Sequence, residues 1–147
     1  MGIKGKKIKE IREVEKGINS NLFLISMTVT ICTMVLMSIN FFARGCFSPT
    51  KIGFFYLTVV LIYSLHKEFI RWLGEKKVKR NGEYFVYAWI ILTTFLYIVD
   101  FFSNGYFDYS KEGYELSTLA DIAYLTMEVL GVFVITRIFK IFFTTRK

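Results

Sequence analysis

The sequence predicts an all-α fold: a polytopic integral membrane protein, an antiparallel four-helix transmembrane bundle with a short N-terminal amphipathic segment. Three observations predict it. Four apolar runs, at about 22–43, 52–73, 84–103 and 116–143, are each long enough to cross a hydrocarbon layer of about 30 Å. Sixteen of the nineteen Lys and Arg residues fall in three segments, 1–20, 67–83 and 137–147, which alternate with the outward connections and so share one side. Each run also carries polar residues at spacings of three and four, which makes one polar stripe on an apolar helix. The cation bias follows the positive-inside rule. It predicts both termini in the cytoplasm and a place in the cell's plasma or inner membrane.

A chain of 147 residues reads as a single transmembrane domain, 1–147. A hydrophobic content of 54%, an aromatic content of 18% and a single Pro suit four spans joined by short connections. The net charge of +7 raises nucleic acid as a partner. The cations flank apolar runs, however, and about half of those in 1–20 and 67–83 are offset by Glu10, Glu13, Glu15, Glu68, Glu75 and Glu83. The anionic head groups of the cytoplasmic leaflet are therefore the expected partner of the basic segments, and no nucleic acid is expected.

Taken in order, residues 1–20 alternate Lys and Glu with Ile3, Ile8, Ile11, Val14 and Ile18, so a short amphipathic helix on the cytoplasmic head groups is expected, with a solvated tail as the alternative. The apolar run at about 22–43 is too long for a signal-peptide core and lacks a small-x-small cleavage site, which marks it as a retained span. Lys6 stands where a myristoylation motif wants Ser or Thr. The turn Gly45-Cys46-Phe47-Ser48-Pro49 is short, so spans 1 and 2 should be antiparallel neighbours. Span 2 ends in His66, Lys67, Glu68, Arg71 and Trp72, followed by a basic hairpin, Gly74–Gly82. Span 3 has an aromatic entrance (Tyr84, Phe85, Tyr87, Trp89) and an aromatic exit (Phe101, Phe102, Tyr106, Phe107, Tyr109), as interfacial belts do. An acidic outer loop leads to span 4, whose cytoplasmic end carries Arg137 and Lys140.

The stripes supply the candidate site. Span 1 reads Ser26, Thr30, Thr33, Met37, Asn40, Arg44; span 2 reads Tyr56, Tyr63, His66. Span 3 reads Thr93, Tyr97, Asp100, Asn104; span 4 reads Ser117, Asp121, Tyr124, Glu128, Gly131. Lipid offers no hydrogen bonds, so the stripes should turn inward and satisfy one another. The expected intramembrane polar cluster is Glu128, His66, Tyr63, Asp121, Asp100, Arg44 and Asn40. Arg44 is placed to pair with Asp100 or Asp121 near the outer leaflet. With helices starting level, Glu128 and His66 lie about 18 and 21 Å below Leu116 and Ile52, so Glu128 should meet His66 or Tyr63. Such groups are either a proton or cation relay or a polar lock between helices, and one carboxylate with one His favours the lock. Glu68 and Arg71, three apart, form an expected cytoplasmic interfacial pair, with Lys67 snorkelling and Trp72 in the head groups.

No catalytic residue and no cofactor is expected. The chain has one His and no Cys-x-x-Cys, which leaves zinc, bis-His haem and thiol–disulfide chemistry without ligands, and no metal site is expected. Cys32 and Cys46, fourteen helical residues apart, are separated by about 21 Å and cannot bridge. Gly-x-Ser-x-Gly and phosphate-binding loops are missing. The expectation is a non-enzymatic accessory or assembly subunit that packs against partner membrane proteins. The alternative is a small proton- or cation-coupled transporter, oligomeric with itself, that uses the Glu/His/Asp cluster.

Overall fold

A computed structural model describes residues 3–45, 50–72 and 83–145 of the chain. The fold is all-α. Four helices follow in order: α1 (Ile3–Phe42), α2 (Thr50–Trp72), α3 (Glu83–Phe102) and α4 (Thr118–Thr145), with one 3₁₀ turn at Tyr106–Asp108 between α3 and α4. Three stretches, Gly17–Phe42, Glu83–Phe102 and Thr118–Ile138, are long and apolar enough to cross a membrane. The chain is thus compatible with an integral membrane protein. In α2 only fourteen residues separate Lys51 from His66, and the helix then runs into Lys67 and Glu68.

The N-terminal segment is not a separate helix, as the sequence led us to expect. It continues without a break into the first apolar stretch, so α1 is 40 residues and about 60 Å long. The charged residues before Gly17 have no Pro or Gly pair to interrupt the helical ladder, and a helix once formed propagates. The turn residues Cys46–Pro49, the hairpin 74–82 and the side chains of Ile8, Ile11, Arg71, Trp72 and Lys140 lie outside the described part.

α1 packs mainly on α2, α4 packs on both α2 and α3, and α1 touches α3 and α4 along a thinner seam. The shared core is Met37 and Phe41 of α1, Tyr56 and Val60 of α2, Val86, Trp89 and Leu96 of α3, and Leu119, Ile122, Leu125 and Val129 of α4. Trp89 sits at its centre, 0% exposed, and its Nε1–H donates to the Tyr56 hydroxyl at 2.7 Å. Thr93 and Thr126 join α3 to α4 at 2.6 Å.

The stripe predicted on span 1 does face inward: Ser26, Thr30, Thr33, Met37 and Asn40 are all buried. Its hydroxyls bond mainly to their own helix, although Thr30 also meets the Tyr56 hydroxyl of α2. Thr30 donates to the Ser26 carbonyl and Thr33 to that of Val29, one turn back on the same helix. The stripe predicted on span 4 does not turn inward. The buried positions of α4 are Thr118, Leu119, Ile122, Leu125, Thr126 and Val129, while Ser117, Tyr124 and Glu128 are exposed and Asp121 half-exposed. The two sets differ by one residue, a rotation of about 100°. Apolar residues on α4 form the stripe that fits the core, and the polar one is carried to its flank.

Candidate functional site

The seven residues expected as one cluster separate into three places. At the end of α1, Asn40 is buried and its Nδ2 donates to Thr118 Oγ1 at 3.3 Å. Arg44 pairs with neither Asp100 nor Asp121. Its Nε and a terminal nitrogen donate to the carbonyls of Tyr109 (2.6 Å) and Ser110 (2.7 Å), and its guanidinium lies over the Tyr106 ring at 4.3 Å. The reason is the helix cap. The Gly45 N–H bonds the Asn40 carbonyl and the Arg44 N–H that of Phe41, a Schellman closure that puts Arg44 at φ 58 and swings its side chain over the α3–α4 connection. Gly45 is required beside it, since a Cβ there would fall 2.5 Å from Leu116 Cδ2 at φ +80. Asp100 is half-buried with its Oδ1 unpartnered, beside the carboxylate of Asp108.

Arg44 therefore fastens the loop. Arg44→Ala should cost about 1–2 kcal/mol through two lost charge-assisted bonds, and should make residues 106–115 the first site of proteolysis in liposomes. Arg44→Gly should cost less, because the left-handed backbone strain is relieved at the same time.

At the other end lies a small chamber between α2, α3 and α4, about 60 Å³ in volume, bordered by Tyr63, Lys67, Glu68, Glu83, Thr136 and Arg137. Lys67 and Glu68 are each only 8% exposed. Lys67 does not snorkel: its Nζ donates to the Tyr63 hydroxyl at 3.2 Å and lies 5.3 Å from that ring's centre. Arg137 pairs with Glu83 across α4 and α3 and packs on the Phe133 ring. Two cations and two carboxylates thus balance around the chamber. A volume of 60 Å³ holds a few waters and no larger ligand. His66, one residue before Lys67, is half-buried with its Nε2 unpartnered. The side chain of Arg71, the expected partner of Glu68, lies outside the described part.

Glu128 meets neither His66 nor Tyr63. Among the described residues it makes no hydrogen bond or ion pair. With Asp121 and Tyr124 it lines a cavity of about 230 Å³ on the outside of α2 and α4, whose other walls are Met37, Gly53, Phe54, Leu57 and Leu125. Asp121 accepts from Ser117 Oγ at 3.1 Å. The missed pairing has a simple cause. α2 and α4 do not start level: Gly53 lies against Leu125, and Tyr63 and Lys67 border the chamber beside Val132 and Arg137. His66 is consequently displaced from Glu128 by roughly eight residues, about 12 Å along the axis.

Compared with protein-family models, characterised proteins and solved structures, the chain matches none.

Among the described residues no three His, Cys, Asp or Glu side chains gather as a metal site would need. The chamber residues Lys67, Glu83 and Arg137 were absent from the expected cluster, although one signal was available. Glu83 opens span 3 and Arg137 closes span 4, and in a helix assembly such ends meet. The chamber is charge-balanced, with Lys67 and Arg137 against Glu68 and Glu83 among apolar walls. The outer groove mixes apolar walls with two carboxylates, Asp121 and Glu128, and none of the described residues that line it is a cation.

Proposed function

We propose that the chain is a four-span integral membrane protein of the plasma or inner membrane, with antiparallel neighbouring helices and both termini in the cytoplasm. It acts, without catalysis of its own, as an accessory or assembly subunit of a partner membrane protein. Glu128 carries the reading. Its carboxylate stands at the midpoint of the apolar stretch Thr118–Ile138, exposed on the outside of the packed helices. A charge at that depth costs about 3 kcal/mol or more when bare, so a helix assembly complete in itself would not leave it there.

Other observations support the four-span arrangement. Phe23 packs on Tyr63 and Met37 on Gly53, so α1 and α2 run in opposite senses, and the short apolar stretch of α2 ends where Lys67 and Glu68 meet Glu83 and Arg137. Lys67 and Arg137 stand at that same end, which the positive-inside rule would put in the cytoplasm. The transporter reading has less to stand on, because it needs Glu128 on an interior path with His66.

Two measurements test this. Photo-crosslinkers at Ile31, Ile91, Phe95, Tyr124 and Met127, all exposed, should yield a discrete protein adduct from at least one helix face in the native membrane; lipid adducts alone at every position would overturn the subunit reading. A membrane-impermeant maleimide should label Cys46 from outside in intact cells and spare Cys32, which lies in the middle of the first apolar stretch. Labelling of Cys46 only after lysis would reverse the orientation.

A further inference from the structure

We propose that the trough between α2 and α4 seats a transmembrane helix of a different protein, one that carries a lysine or arginine at mid-membrane depth, paired with Glu128. This deepens the subunit reading and rests on it. The depth of Glu128 selects the partner. It lies ten residues into α4, about 15 Å from either face of a hydrocarbon layer of about 30 Å. A lipid ammonium stays at the head groups and cannot reach it, and a soluble cation would have to cross the apolar acyl layer. A Lys or Arg borne on a spanning helix arrives at the right depth, desolvated by its own neighbours.

The walls agree with a helix as the occupant. Phe54, Leu57 and Leu125 are apolar, and the rings of Phe54 and Tyr124 stand open at the trough's rim. The cavity of about 230 Å³ is large enough for a long aliphatic side chain and its head group. A second copy of this chain fits less well, because the charges do not meet. Among the described residues, Arg44 is committed to the Tyr109 and Ser110 carbonyls, Arg137 to Glu83 and Lys67 to Tyr63. Exposed Lys51 lies two residues before Gly53, level with Ala123 and roughly 7.5 Å above Glu128. A parallel copy would bring that same misfit.

The test uses the full chain, dye-labelled and reconstituted in phosphatidylcholine–phosphatidylglycerol vesicles. The probe is an acceptor-labelled polyleucine transmembrane peptide with one central Lys; the control carries norleucine there, and infrared dichroism selects the spanning fraction of both. Energy transfer should report association about tenfold stronger for the Lys peptide, the scale of one interhelical polar contact in lipid. Glu128→Gln should erase that preference while Asp121→Asn keeps most of it. Leu57→Trp should erase it too, by filling the trough without touching a charge; unchanged helicity and monodisperse elution would exclude misfolding. Equal association of the two peptides, or a preference that survives Glu128→Gln, overturns the proposal. So does self-association of the chain that Glu128→Gln abolishes, which would make a second copy the occupant. Protein crosslinks confined to α3 with no Lys preference would sink this docking site and leave the subunit reading standing.

Discussion

Trp89→Ala is expected to cost about 3–5 kcal/mol of stability, the largest effect of any single truncation in this fold. The indole is fully enclosed, its ring centre lies 5.5 Å from that of Tyr56, and its N–H is the partner of the Tyr56 hydroxyl. In a bilayer the unfolded reference state keeps its helices in lipid, so transfer from water contributes little. What remains is the cavity, the lost dispersion contacts of α3 with α2, and a hydroxyl left unpaired in an apolar core. Trp89→Phe keeps most of the volume and should cost only about 1 kcal/mol, isolating the hydrogen bond. Unfolding in bicelles, followed by steric trapping, reads both. An alanine variant within 1 kcal/mol of the parent would mean that the helices are held elsewhere.

Breaking the Arg137–Glu83 pair comes next. Arg137→Met leaves Glu83 at the rim of the chamber beside Glu68, and the expected loss is about 1–3 kcal/mol. The side chains are 33% and 26% exposed, so the value falls below that of a fully enclosed pair. Glu83→Gln should cost less, because an amide can still accept from the guanidinium. The double exchange, Glu83→Arg with Arg137→Glu, should recover more than half of the sum of the single losses. A coupling below about 0.3 kcal/mol in that cycle would make the pair a bystander and leave Lys67 and Tyr63 as the lock at this end.

Much of the helical layout was legible from local patterns. The apolar runs at about 84–103 and 116–143 reappear as Glu83–Phe102 and Thr118–Thr145, because hydropathy over some twenty residues needs no knowledge of neighbours. The buried stripe of α1 was legible too: Ser, Thr and Asn at helical spacing have nowhere else to turn in lipid. The same rule failed on α4. Ser117, Tyr124 and Glu128 obey the spacing as well as the α1 stripe does, yet Leu119, Ile122, Leu125 and Val129 compete for the core and fit the space left by Tyr56, Trp89 and Met37. A polar stripe announces itself in one dimension; which of two adjacent stripes wins the core is a matter of shape.

The chain by itself therefore determined the helical class, the apolar stretches, the clustering of cations and the inward face of α1, all of them set by side-chain polarity over a turn or a span. Packing alone decided the axial offset of α2 against α4, the rotation of α4, the grip of Arg44 on the Tyr109–Ser110 carbonyls and the joining of Glu83 to Arg137. Sliding a helix by two turns or rotating it by a third of a circle leaves its hydropathy and charge count unchanged. Only the fit of one side-chain surface against another distinguishes those arrangements, and that fit is what put Glu128 on the outside.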